Sequence, residues 1–143
     1  MYKIENYGLS LTMIKNLTYN DPIIKRAVDK AVGKEFSFFQ GLKMGGTGSQ
    51  KFVIEEASDE IIKLLQKDNA TNFTHIEQRP NGIIIRFKSY QETYGLILSF
   101  QEIKLINDDT NLTIESPDFF VKMKTMNDSP VEQSFLNRID KRQ

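Results

Sequence analysis

The sequence predicts an α+β protein: a bent antiparallel sheet or small barrel of about seven strands, with a C-terminal capping helix and two further helices. Three observations carry that prediction. Between Asn81 and Met126, apolar residues recur two apart in short runs: Ile83, Ile85 and Phe87, then Leu96, Leu98 and Phe100, then Phe119, Val121 and Met123. Alternate strand side chains share a face, so each run gathers its apolar residues on one side. Arg86, Lys88, Lys122 and Lys124 fall on the other, which predicts a sheet with one packed and one wet face. The links at 89–93, 107–111 and 116–118 are short and turn-like, so neighbouring strands are expected antiparallel. Two segments, opened by Asp21-Pro22 and Ser129-Pro130, have the marks of helices.

In chain order, residues 1–20 are read as a strand or an arm over the core. Leu9, Leu11 and Met13 alternate with Ser10 and Thr12, but Ile14 and Leu17 break the period, so a short helix competes with that reading. A helix is expected over 21–33. Asp21 can accept from the free amides of the first turn, Pro22 loses nothing at the first helical position, and Gly33 suits the C-terminus. Ile24, Ala27, Val28 and Ala31 line one face of it.

The stretch 35–126 then reads mostly as antiparallel strands. Glu35–Met44 and Gln50–Glu56 are expected as two strands joined by the glycine-rich 45–49. A helix at 58–68 follows, with acids in its first turn and Ile61, Ile62, Leu64 and Leu65 on its apolar face. Asn81-Gly82 predicts a hairpin between Phe73–Gln78 and Ile83–Lys88. The last helix is expected over 129–141. Ser129 and Glu132 have capping-box spacing, Phe135, Leu136 and Ile139 face inward, and basic residues close its C-terminus.

At 143 residues the chain, 1–143, is expected as a single domain with a core of its own. Lys+Arg 19 against Asp+Glu 19 leaves no bulk field, which disfavours nucleic acid as a partner. With no cysteine and one histidine, thiol catalysis, cysteine-bound zinc and disulfides are excluded. Neither cofactor nor metal is expected. The first residues lack the basic-then-apolar pattern of a secretory signal, and no uncharged apolar run nears the roughly 20 residues of a membrane helix. A cytoplasmic protein, not integral to a membrane, is therefore expected.

Seven antiparallel strands closed at one end by a C-terminal helix resemble the pleckstrin-homology-like plan. The run Ile83–Ile106, with Leu96-Ile97-Leu98-Ser99-Phe100-Gln101-Glu102-Ile103, is similar to bacterial PH-like and GRAM-like domains, as is Leu112–Met126 followed by Ser129–Ile139. The resemblance covers the second half of the chain. It implies a binding module rather than an enzyme. The helices at 21–33 and 58–68 depart from the pattern, and the family's phosphoinositide-binding basic motif has no evident counterpart here.

Candidate chemistry is sparse. Gly45, Gly46 and Gly48, followed by Lys51, suggest backbone amides that could cradle phosphate. However, Lys51 does not directly follow a glycine, and the segment precedes a strand-like run, so a hairpin loop is favoured. His75 has no serine or paired acid nearby in sequence to make it a catalytic base, and Asp108-Asp109 lacks calcium-loop spacing. The row Arg86, Lys88, Lys122 and Lys124, extended by Lys43 and Lys51, is the candidate surface for an anionic headgroup or an acidic partner. The expectation is a non-catalytic intracellular binding or adaptor module for a protein, a peptide or an anionic headgroup. The alternative is a small-molecule carrier or enzyme using a cavity in the curved sheet, with Glu77, His75 or tyrosines at its mouth.

Overall fold

The computed structural model describes residues 12–66 and 72–140. The elements in order are β1 (Met13–Asn16), α1 (Pro22–Val32), α2 (Phe38–Met44), β2 (Phe52–Ala57) and α3 (Asp59–Gln66). There follow β3 (Phe73–Arg79), β4 (Gly82–Ser89), β5 (Glu92–Ser99), β6 (Lys104–Asp108), β7 (Asn111–Glu115), β8 (Phe120–Thr125) and α4 (Gln133–Asp140). The eight strands form one antiparallel sheet in the order β1-β5-β4-β3-β2-β8-β7-β6.

That order dictates curvature. In a flat sheet β5 and β6 would stand six strand spacings apart, about 29 Å. Yet only residues 100–103 join Ser99 to Lys104, a reach of about 18 Å at most. The sheet therefore curls until its two ends approach one another, and among the described residues no strand joins β1 to β6.

Its inner surface holds the main core. Phe52, Ile76, Ile83, Ile85, Leu96, Leu98, Leu112, Ile114, Val121 and Met123 are buried there, with Ile61 and Leu65 of α3 and Phe135, Leu136 and Ile139 of α4. α1 covers part of the opposite surface, where Val28, Ala31 and Val32 pack on Ile84 of β4 and Ile97 of β5. The expectation of one packed and one wet face thus fails at β4 and β5. The signal was present, since Ile83-Ile84-Ile85 and Leu96-Ile97-Leu98 are unbroken apolar runs, the mark of strands buried on both faces.

α1 follows its sequence: the Asp21 carboxylate accepts from the Ile23 amide at 2.8 Å, and Gly33 ends the helix at φ 85°. The Val32 carbonyl accepts from Asn81, tying the helix end to the β3–β4 turn. The Asn81-Gly82 hairpin forms as read, with Arg79 opposite Gly82. A Cβ on Gly82 would collide with the Leu98 carbonyl and with Val32, which is why only glycine fits under α1 there.

Four expectations are corrected. Glu35–Met44 is no strand; its second part is the helix α2. Lys104–Asp108, read partly as a link, is the edge strand β6, and the turn is only Asp109-Thr110, with Asp109 at φ 51°. With β1 included the strands among the described residues number eight, not about seven. The last helix begins at Gln133 rather than Ser129, and no Ser129 capping box forms. The Ser129 hydroxyl instead donates to the Met126 carbonyl, while Gln50 Oε1 accepts from the Glu132 amide at 2.6 Å. A side chain from a distant segment therefore caps α4. The helix at 58–68 is observed as Asp59–Gln66. Leu9 and Leu11, the end at Asp68-Asn69, and Lys141 and Arg142 lie outside the described residues.

Candidate functional site

α2 is short, and its cap explains why it forms despite strand-like phenylalanine spacing. The Ser37 hydroxyl accepts from the Gln40 amide, and Gln40 Oε1 accepts from the Ser37 amide, a complete capping box. Gly45, at φ 82°, closes the other end in the left-handed conformation.

At 100° per residue, Phe38, Leu42 and Phe39 share one face of α2, and Gly41 and Met44 lie on the opposite side. The apolar face is turned to solvent. Phe38 is 75% exposed, Phe39 74% and Leu42 63%, and no residue of α2 is fully buried. The two rings lie edge to face, 5.7 Å between centroids. Beside them is an open depression of about 490 Å³ lined by Phe36, Ser37, Phe38, Leu42 and the Gly45-Gly46 turn. Lys43, exposed, stands in the last turn of α2, and Lys34 and Glu35, also exposed, line a depression together with Phe38.

The glycine segment is part of this element. The amides of Gly45 and Gly46 donate to carbonyls at Leu42 and Gly41 as the helix cap, so they do not point together at a ligand. Gly48 bridges to Glu77 of β3, and its carbonyl accepts from Arg138 of α4. Lys51 lies 4.8 Å from the Phe73 ring centroid, a cation–π contact.

The basic row does not converge. Arg86 and Lys88 are on β4, Lys122 and Lys124 on β8, and β3 and β2 intervene, about 14 Å in all. Arg86 binds Glu77 through Nε and Nη2 at 3.0 and 2.6 Å, Lys122 lies 3.6 Å from Glu56, and Lys124 lies 3.9 Å from Glu55. Three of the six cations are thereby compensated by acids on neighbouring strands. Among the described residues Lys88, Lys43 and Lys51 have no ion pair. Lys43 stands with α2 rather than with the row.

A second concentration of charge lies between α1 and the sheet. Arg79, 7% exposed, binds Glu77 through Nε at 2.5 Å, and its Nη1 reaches Asp29 of α1 at 3.2 Å and the Gly33 carbonyl at 2.8 Å. Lys25 pairs with Asp29 at 3.3 Å. Burial of the Glu77 carboxyl, the largest single influence, raises its pKa. Hydrogen bonds and charge from Arg79 and Arg86 together outweigh it and hold the group below its ordinary 4.5. Next to Arg86, His75 is held below its ordinary 6.5, first by desolvation and then by the Arg86 charge. A cleft of about 160 Å³ opens here over Leu17, Ile24, Val28 and Ile84, rimmed by Lys25, Arg79 and Arg86. Its cations already face Asp29 and Glu77, so the network's evident work is to fasten α1 to the sheet.

Sequence reasoning missed α2 as a surface. The signal available was Ser37-x-x-Gln40, which competes with the alternation of Phe36 and Phe38. Compared with family models, curated proteins and solved structures, the chain matches none. Among the described residues, no helix is long and apolar enough to cross a membrane, and no group of three or more His, Asp or Glu side chains could hold a metal ion.

Proposed function

We propose that this chain is a non-catalytic binding module of PH-like plan that docks on an anionic membrane surface through α2. The observation that carries the reading is the outward apolar face of Phe38, Phe39 and Leu42, with Lys43 on the same helix and Lys34 beside Phe38. Burying three such side chains in the headgroup–acyl boundary is worth about 1.5–3 kcal/mol each, and each nearby lysine adds about 1 kcal/mol on an anionic leaflet. The run of seven strands from β2 to β8, followed by α4 packed into their common core, supports the PH-like part of the reading. The anionic leaflet faces the cytoplasm, so a cytoplasmic location belongs to the same proposal.

Against a carrier or an enzyme working inside the curved sheet stands the filling of that interior. Phe52, Ile76, Ile83, Ile85 and Phe135 are almost wholly buried against one another there.

Co-sedimentation with vesicles tests the proposal. Vesicles of phosphatidylcholine with phosphatidylserine are expected to bind the protein, and phosphatidylcholine alone to bind it more weakly. The double change Phe38→Ser and Phe39→Ser is expected to weaken binding about 100-fold or more. Lys43→Glu should weaken it about tenfold or more and reduce its salt dependence. Folded protein that ignores anionic vesicles would overturn the reading and turn attention to an apolar protein partner for α2.

A further inference from the structure

The open edge of the sheet carries a separate inference, independent of α2. β6 and β7 are joined by the two-residue turn Asp109-Thr110, and Asp108 lies opposite Asn111. In a two-residue hairpin the residues flanking the turn are hydrogen-bonded to each other, and the bonding alternates from there. Asp108, Ile106 and Lys104 therefore bond inward to β7, and the amides and carbonyls of Leu105 and Asn107 point out from the sheet. Among the described residues these outward groups have no strand beside them.

The side chains of Lys104, Ile106 and Asp108 share one face, and all three are exposed, Ile106 at 42%. Neither Lys104 nor Asp108 has an ion pair among the described residues. We propose that β6 is a self-recognition strand, pairing antiparallel with β6 of a second copy of this chain about a two-fold axis at Ile106.

The register follows from the residues. Centring the axis on Ile106 sets Leu105 against Asn107 of the second copy, and the reverse, so the outward groups can make four backbone hydrogen bonds. It also sets Lys104 opposite Asp108 twice, and Ile106 opposite its own equivalent. These pairs fall at the non-hydrogen-bonded positions, where side chains stand closest, about 4.5 Å between Cα atoms. Moving the axis to Leu105 or Asn107 removes both ion pairs, setting Lys104 or Asp108 against Ile106. Charges on an edge ordinarily discourage pairing with foreign strands. Here they are ordered so that the matching partner is the same strand reversed. A five-residue edge is smaller than a standard interface, so the association is expected to be weak and concentration-dependent.

Sedimentation velocity up to millimolar concentration tests it by charge exchange. Wild-type protein is expected to dimerise, and less so at high salt. Lys104→Asp sets acid against acid at both pairs and Asp108→Lys sets base against base, so each should weaken association about tenfold or more. The double variant K104D/D108K should recover it, and so should an equimolar mixture of the two single variants, whose pairs are again opposite in sign. Both residues are exposed, and unchanged melting temperatures will show that the single variants keep the fold. Wild-type protein that stays monomeric throughout would overturn the proposal. So would single variants that dimerise as wild type does, or a charge exchange that fails to restore association.

Discussion

α1 and α2 are consecutive helices, each opened by a side-chain cap and each ended by a glycine at positive φ. α1 lays Val28, Ala31 and Val32 on Ile84 and Ile97, whereas α2 has no fully buried residue, only Gly41 and Met44 half-buried, and turns Phe38, Phe39 and Leu42 outward. Both have an apolar face, so amphipathicity alone does not decide burial. What decides is whether the sheet offers a matching surface. β4 and β5 do so under α1, with Gly82 removing the side chain that would hold the helix away. Polar bonding strengthens the contrast, since α1 is also held by Arg79 through Asp29 and the Gly33 carbonyl.

The largest expected effect comes from breaking the seat of α1. Ile84→Ala removes the centre of the small core under the helix and should cost about 2–5 kcal/mol in chemical denaturation. On α2, Phe39→Ala should leave stability within about 0.5 kcal/mol, because that ring is already in water. A comparable loss at Phe39 would mean that α2 is packed in solution.

Next in size is the polar tether. Glu77→Gln weakens the bonds to Arg79 and Arg86 and should cost about 1.5–3 kcal/mol at neutral pH. The folded pKa of Glu77 is depressed, so its contribution is present above the ordinary value near 4.5 and is lost as pH falls below it. The depressed His75 acts in the same direction from about its ordinary 6.5 downward. Stability measured against pH should therefore fall on the acid side in wild-type protein, and the part of that fall below about 4.5 should be shallower in the Gln variant. An equally steep fall there would remove Glu77 from the account.

Both helices also show what was legible in the sequence. α1 could be read because every signal agreed: Asp21-Pro22 at the start, Gly33 at the end, and apolar residues at helical spacing between. The hairpin at Asn81-Gly82 was legible for the same reason. At α2 two signals conflicted. Phe36 and Phe38 alternate as in a strand, while Ser37-x-x-Gln40 caps a helix, and the chain takes the helix with both capping hydrogen bonds formed. The same motif at Ser129-x-x-Glu132 did not form, since Gln50 satisfied the Glu132 amide from 82 residues away. No local rule anticipates a partner at that distance. The basic row was misleading in a similar way. Its compensation by Glu55, Glu56 and Glu77 depends on strand order and register, which spacing along one strand does not contain.

The smallest effect sharpens the comparison most, because one chemical change is made at two caps. Asp21→Ala strips the acceptor from the first turn of a helix that bears on the core, and should lower global stability by about 1 kcal/mol. Ser37→Ala strips an equivalent acceptor from α2. If α2 contributes no burial, its unfolding is a local event, and a global melt will not register the loss. Hydrogen exchange will: the amides of Gly41 to Gly46 should exchange about fivefold faster in the Ser37 variant, as expected for about 1 kcal/mol of local destabilisation. Amides in α1, by contrast, should keep wild-type rates. An α2 cap that moved the global transition as far as Asp21 does would show the two helices to be coupled, and the outward face of α2 would then have to be explained as part of the core.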